Sequence, residues 1–308
     1  MAEAVSPAAQ IFDRALVRRR QLRALALGPS FFLLERVADD LAERLAAVLR
    51  RFDVAVDLGT PGTALRGAIG KLGSVGTIIP VKAIADGEKG RVQTAEKRIV
   101  ADEEALPLRD ASLDLVVSAL ALQFANDLPG VLVQIRRALK PDGLFIAALV
   151  GGETLTELRQ SFAAAESDIE GGASPRVAPF AEVRALGNLL QRAGFALPVT
   201  DVDRYTLRYD SIFALMHELR RMGATNALLA RRRVPLRRAT LMRAAEIYAQ
   251  RFADADGRVR ATFEIVWLSG WAPHASQQQP LEPGSARVRL ADALGTREIP
   301  TGEKAGGD

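Results

Sequence analysis

The chain has 308 residues, 48% of them hydrophobic and 25% charged, with a net charge of +4. It holds no cysteine and only two histidines, His217 and His274. That excludes disulfides, thiolate metal sites and a cysteine nucleophile, and it argues against a His-rich metal site or a Ser-His-Asp triad. No apolar run approaches the roughly 18 residues of a membrane span, and the first residues lack the apolar core of a secretory signal. Basic and acidic residues are interspersed and aromatics are few, so nucleic acid is not an expected partner.

In chain order, residues 1–10 are small and polar and read as disordered. Residues 11–27 alternate apolar and basic residues at helical spacing. "GPS" at 28–30 breaks that helix, with Ser30 placed to cap the next one over 31–51. From 53 the pattern changes to strands alternating with helices. Strands are expected at 54–59, 75–81, 97–102, 113–120 and 144–150, with helices at 64–73 and 128–140, the second stopped by Pro141. The runs at 115–118 and 144–150 are almost wholly apolar, as strands buried on both faces should be. Further on, helices are expected within 153–168 and 180–194, a strand at 199–209, helices at 211–222 and 236–252, and a last strand at 261–271. Residues 272–308 read as a mostly disordered tail. Alternating βα units imply an α/β, doubly wound, mostly parallel sheet occupying 53–271 behind N-terminal helices at 11–52, with helical insertions at 153–194 and 211–252. The insertions are expected to cover the carboxyl end of the sheet and shape a substrate entrance.

Ligands of open α/β sheets bind outside the carboxyl ends of the strands. Those ends are Asp57-Leu58-Gly59, Pro80-Val81-Lys82, Ala101-Asp102-Glu103-Glu104, and the segment from Ser118 to Phe124. His217 reads as structural or exposed, Tyr205 and Tyr209 as packing residues, and Arg231–Arg233 with Arg237 and Arg238 as a solvated face.

"DLG", then "ADEEALPL" followed by "DASLDLVVSALALQF", then "RRALKPDGLFI" resemble, in order and spacing, the motifs of class I S-adenosylmethionine-dependent methyltransferases. A closer resemblance runs over nearly the whole chain. It is carried by "IFDR" at 11–14, "NDLP" at 126–129, "GGETLTELRQSF" at 151–162, "LMHELRRMGATN" at 215–226 and the "GSA.V" stretch at 284–288. These resemble the complex I assembly factor family described as arginine hydroxylases, and, second to it, the malonyl-carrier-protein methyltransferases of biotin synthesis.

The resemblance implies a seven-stranded Rossmann-like sheet whose last strand inserts antiparallel. It implies S-adenosylmethionine as cofactor and a protein partner, an arginine-bearing subunit of respiratory complex I. The cofactor-binding positions it marks are Asp57, Gly59, Gly62, Asp102, Glu103 and Ala119. Gln123 and Phe124 would face the substrate. It marks no catalytic residue and no metal ligand. The cofactor turn departs from the family pattern of D-x-G-x-G-x-G: only Gly59 stands in register, Pro61 and Thr63 replace the later glycines, and Gly62 is shifted by one place. Proline fixes φ and has no N–H to donate. Val81 stands where an acid normally holds the ribose, so the cofactor is expected to bind weakly or not at all. Three functional readings follow. The first is a modifying enzyme of complex I assembly, the second a non-catalytic assembly factor, and the third, ranked last, a carboxyl methyltransferase. The expected setting is the bacterial cytoplasm or the inner face of its membrane, with peripheral membrane association compatible and the oligomeric state unassigned.

Overall fold

The computed structural model describes residues 10–84, 97–278, 285 and 288–297. Residues 1–9 and most of the tail, on which expectations of disorder were placed, lie outside the described residues, as does most of the "GSA.V" stretch.

Residues up to His274 form one unit. Two helices lead in, α1 (Arg14–Ala26) and α2 (Phe32–Ala46). The alternating region follows as β1 (Phe52–Leu58), α3 (Ala64–Gly70), β2 (Val75–Lys82), β3 (Ile99–Val100), β4 (Leu113–Ala119), α4 (Leu128–Ala138) and β5 (Leu139–Val150). Then come α5 (Thr156–Glu170), α6 (Val183–Arg192), β6 (Ala196–Tyr209), α7 (Ile212–Arg221), α8 (Arg238–Phe252) and β7 (Val259–Trp271). The strands form one seven-stranded sheet in the order β3-β2-β1-β4-β5-β7-β6. β1 to β5 pair in parallel, and β7 inserts antiparallel between β5 and β6, as the resemblance implied.

The near-continuous apolar runs feed two cores by simple alternation, because successive side chains of a strand point to opposite faces. Ala55, Leu115, Val117, Leu144 and Ile146 face a core closed by α2, α3, α5, α7 and α8. Val56, Val116, Phe145 and Ala147 face a core closed by α4 and α6. The helix starts are encoded locally. Asp13 caps α1 by accepting from the Leu16 amide at 2.9 Å, and Asp127 caps α4 by accepting from Gly130 at 2.9 Å.

Several expectations are corrected. Ser30 does not cap α2: its hydroxyl donates to Glu218 Oε1 at 2.9 Å, and Phe31 stands at the N-cap without a side-chain bond. The helix expected over 128–140 ends at Ala138, and β5 begins at Leu139, because Pro141 biases Lys140 toward extended backbone. The third strand shrinks to Ile99–Val100. Of the arginines expected to form a solvated face, Arg231 pairs with Asp13 at 3.3 Å and Arg232 with Glu170 at 2.9 Å, both half-buried, whereas Arg233, Arg237 and Arg238 are exposed. α6 lies in the same core as α4 and not over the strand ends. Tyr205 donates to Asp40 at 2.5 Å, and burial with that bond pushes its phenol up to about 12. His217 is exposed on α7. Among the described residues, no helix is long and apolar enough to cross a membrane.

Residues from Ala275 onward form a second unit. Its described part contains a short helix, α9 (Leu290–Leu294), closed by Gly295 with φ +61°, where the sequence reading placed disorder.

Candidate functional site

The strand order reverses between β1 and β4, so the carboxyl ends of those strands flank the crevice where this architecture binds ligands. The turn after β1 is built tightly. The Gly59 amide donates to Val81 O at 2.8 Å, extending the β1–β2 pairing. Thr60, 1% exposed, accepts from the Ala119 amide at 2.9 Å, and the Ser118 hydroxyl donates to Leu58 O at 2.7 Å. Gly59 and Gly62 have φ of +73° and +61°, a region glycine enters without strain. A Cβ on Gly59 would stand 3.0 Å from Ala121 Cβ and 3.2 Å from Glu103 Cγ, so the turn is already packed against the acidic run.

Asp57 points into this turn and is buried. Its Oδ2 accepts from Arg66 Nη1 at 2.9 Å, while Oδ1 is buried without a hydrogen bond among the described residues. Burial pushes the Asp57 carboxyl up from its ordinary value, and the Thr60 hydroxyl, Lys82 and Arg66 oppose that shift. Val81, the expected ribose position, is instead a core residue of β2, fully buried between Leu58 and Ile99. The side chain that reaches the turn is its neighbour Lys82, whose ammonium donates to Gly62 O at 2.7 Å. A cation therefore stands beside the turn at the end of the strand expected to carry the acid.

The acidic run after β3 is occupied as well. Arg14 Nη2 lies 2.6 Å from Asp102 Oδ1 and 2.5 Å from Glu103 Oε2, and Nη1 lies 3.1 Å from Glu104 Oε1. Arg18 bonds the other Asp102 oxygen. Burial raises the Asp102 carboxyl, but the Glu104 amide, Arg14 and Arg18 outweigh it and hold it below its ordinary value. Asn126 fixes the segment that delivers Arg14. Its Oδ1 accepts from the Ile11 and Phe12 amides at 2.9 and 2.8 Å, and its Nδ2 donates to Phe12 O at 3.1 Å. On its other side Phe12 bridges to Leu228. Thus "IFDR", "ADEE", "NDLP" and the residues 227–229 that follow "GATN", separate in sequence, meet at one strap. The sequence held these motifs as family marks, and their mutual contact was not read from it.

Beside the strap, over the carboxyl ends of β4 and β5, lies an apolar pocket of about 280 Å³. Phe12 and Phe124 meet edge-on at its wall with ring centroids 5.6 Å apart. Leu158 and Phe162 of α5 and Met216 of α7 face it. Gln123 also lines it: Nε2 donates to Leu120 O at 2.8 Å, and Oε1 is buried without a hydrogen bond among the described residues. Leu120 and Leu155, both lining the pocket, have φ of +52° and +54°. A non-glycine residue held there costs about 1–3 kcal/mol and is typical of functional sites. The segments 154–180 and 216–236 supply much of the lining.

Among the expected positions, Asp57, Gly59 and Ala119 are therefore joined through the first turn, Gly62 through Lys82, and Asp102 with Glu103 through Arg14. Gln123 and Phe124 open on the neighbouring pocket.

This sheet order, with a glycine turn and an acidic run at its carboxyl ends, defines a methyltransferase-fold protein. Solved crystal structures agree at the level of fold. A candidate methyltransferase from Bacillus halodurans matches with TM-score 0.50 and 16% identity over 76% of this chain and 97% of its own. The YcgJ protein of Bacillus subtilis matches with TM-score 0.50 and 14% identity over 76% and 99%. A methyltransferase domain family matches residues 73–147. The chain belongs to the arginine-hydroxylase NDUFAF5 family. The mitochondrial NDUFAF5 of Danio rerio is 39% identical over 92% of this chain and 89% of its own, and that of Homo sapiens 39% identical over 96% and 87%. A malonyl-[acyl-carrier protein] O-methyltransferase of Halorhodospira halophila is 34% identical over 91% and 95%. The expected bacterial cytoplasmic setting is corrected by the NDUFAF5 relatives, which are mitochondrial proteins.

S-adenosylmethionine is the cofactor that the methyltransferase domain implies. The described residues, as arranged, do not fit it. The cleft at the first turn has a volume of about 60 Å³, whereas small-molecule sites run to roughly 300–1,000 Å³. No described acid stands at the end of β2, and the carboxylates after β3 already hold a guanidinium.

Proposed function

We propose that this protein acts in assembly of respiratory complex I, receiving a side chain of a complex I subunit in the apolar pocket above β4 and β5. The observation that carries the reading is the convergence of motifs on that pocket: Phe12, Leu158 and Met216 come from three motifs of the family and Gln123 from one of the wider methyltransferase class, and all four face one cavity. The NDUFAF5 relatives match over most of both chains and bear the name arginine hydroxylase, which makes arginine the side chain to test. An arginine's three-carbon stem suits apolar walls, and its guanidinium supplies donors for the buried Gln123 Oε1.

The role of the chain's own residues is binding and orientation. Leu158, Phe162 and Phe124 exclude water, Gln123 accepts a hydrogen bond, and the Leu120 and Leu155 backbones fix the walls. S-adenosylmethionine is the cofactor the family implies, and no step of this reading is routed through it, because the arrangement described above does not fit it. In cells lacking the protein, wild type should restore complex I, and the double variant L158W/M216W, which fills the pocket, should not. Equal rescue by a folded double variant would refute the pocket reading.

The second reading, a scaffold that modifies nothing, is favoured by the Lys82–Gly62 and Arg14–Asp102 contacts. Mass spectrometry of complex I subunits from rescued and unrescued cells separates the two, since only the enzyme reading leaves an arginine with added mass. The carboxyl-methyltransferase reading ranks third, supported by the more distant full-length relative. Rescue of a biotin-requiring strain would restore it.

A further inference from the structure

We infer that Arg14 holds the nucleoside subsite of this fold shut, and that the position of its strap decides whether an adenosine group can enter. The inference rests on the cofactor reading above and concerns access to that site.

Arg14 is 18% exposed at its side chain and spends both terminal nitrogens on three carboxylates, Asp102, Glu103 and Glu104. The resemblance marks Asp102 and Glu103 as cofactor-binding positions, where a carboxylate would accept the amino group of the nucleoside's base. That amino group is neutral and satisfies one acceptor. A guanidinium is charged, presents a fork of donors and matches several carboxylates at once. In competition for the same oxygens, the tethered guanidinium wins over an untethered neutral donor. Tethering adds to the advantage, because Arg14 is held by the capped start of α1, by Asn126 under Ile11 and Phe12, and by the bridge from Phe12 to Leu228. Glu103 is drawn by the same contact against Gly59, closing the floor on which the ligand would lie.

Asn126 holds the strap on one side and residues 227–229 hold it on the other, so the test removes the guanidinium fork itself and, separately, one of these two anchors. The test is titration calorimetry on the full chain with S-adenosylhomocysteine, comparing wild type with Arg14→Met, which keeps the stem and removes the fork. Circular dichroism and a thermal melt establish that each variant is folded. Asn126→Ala, which removes one of the strap's two anchors and leaves Arg14 in the chain, serves as the second variant. The expected result is at least tenfold tighter binding by Arg14→Met than by wild type, with Asn126→Ala moving in the same direction. Adding Asp102→Asn to Arg14→Met should remove the gain. A gain below tenfold in both folded variants overturns the inference, and so does low-micromolar binding by wild type. Either result leaves the pocket reading standing, because complex I rescue by the pocket-filled variant is measured independently.

Discussion

Arg14 and Asp102 stand 88 positions apart in sequence, and their side chains meet at 2.6 Å. The pair sets the pH response of this corner. Asp102 is held below its ordinary value, so its contribution to stability is fully present above the unfolded carboxyl value near 3.8 and is lost as pH falls through the lower folded value. Burial alone would have given the opposite sign. Asp102→Asn should flatten the acid limb between about pH 5 and pH 2 while lowering stability at neutral pH. Urea midpoints measured across that range check it. An unchanged acid limb would show that the pair contributes nothing measurable, the usual outcome for exposed ion pairs.

The strap itself is expected to depend on Asn126. Its side chain satisfies two amides and one carbonyl of Ile11 and Phe12. Asn126→Ala should cost about 1–3 kcal/mol if those groups find no water, and less if they do. It should also expose the segment before α1 to protease. Limited proteolysis with N-terminal sequencing reads this directly, and wild-type cleavage kinetics in the variant would contradict it.

Much of the fold was legible in the sequence for a local reason. The doubly buried strands have continuous apolar runs, and some helix boundaries carry a proline, a glycine or a capping acid. Leu113–Ala119 and Asp127 are such cases. The tight turn was legible in part. Pro61 and Thr63 marked the departure, but Lys82 was passed over in favour of Val81. Alternation along β2 decides which of two neighbours points into the core, and a one-residue error exchanges them. The strap was not legible, because no local pattern joins residue 14 to residue 102. What the sequence did offer was Arg14 beside Asp13 and the run of three acids Asp102–Glu104.

Asp57 and Arg66 make a further test. The carboxylate is buried, and Arg66 supplies a 2.9 Å partner. Removing one member of a buried pair leaves an uncompensated charge, at a cost of about 3–5 kcal/mol. Arg66→Met should therefore destabilise strongly. Asp57→Asn should cost less, because burial already raises that carboxyl toward its neutral form. For Asp57 the sign with pH is opposite to that of Asp102: a raised folded value favours the protein below the unfolded value, and that contribution is lost as pH rises through the folded one. Chemical denaturation of the two variants at pH 7 and pH 5 gives the ranking. An Asp57→Asn variant less stable than Arg66→Met would contradict it.

The double glycine of "GGETL" should divide into one essential and one tolerant position. Gly151 follows β5 and donates to Glu264 O at 2.8 Å. A Cβ there would stand 2.5 Å from Glu264 Oε1 and 2.8 Å from Val266 Cγ2, on a strand already fixed by Thr154, whose hydroxyl accepts from the Glu264 amide at 2.9 Å. Glu264 is held by Arg204 at 3.1 Å and Val266 is fully buried, so either side chain can retreat only by giving up those contacts, and Gly151→Ala should cost about 1–3 kcal/mol by overpacking. It should also disturb the pocket, since Leu155 lies just beyond it on the same turn. Gly152 has only Phe180 O at 3.5 Å and Glu182 Cγ at 4.0 Å near the same construction, ordinary contacts that a methyl group meets without displacement. Gly152→Ala should therefore leave stability within about 0.5 kcal/mol of wild type. Thermal and urea denaturation of the two variants, side by side, decide the matter: equal losses at both positions would show that the pair is kept for backbone freedom and not for the close approach of β7.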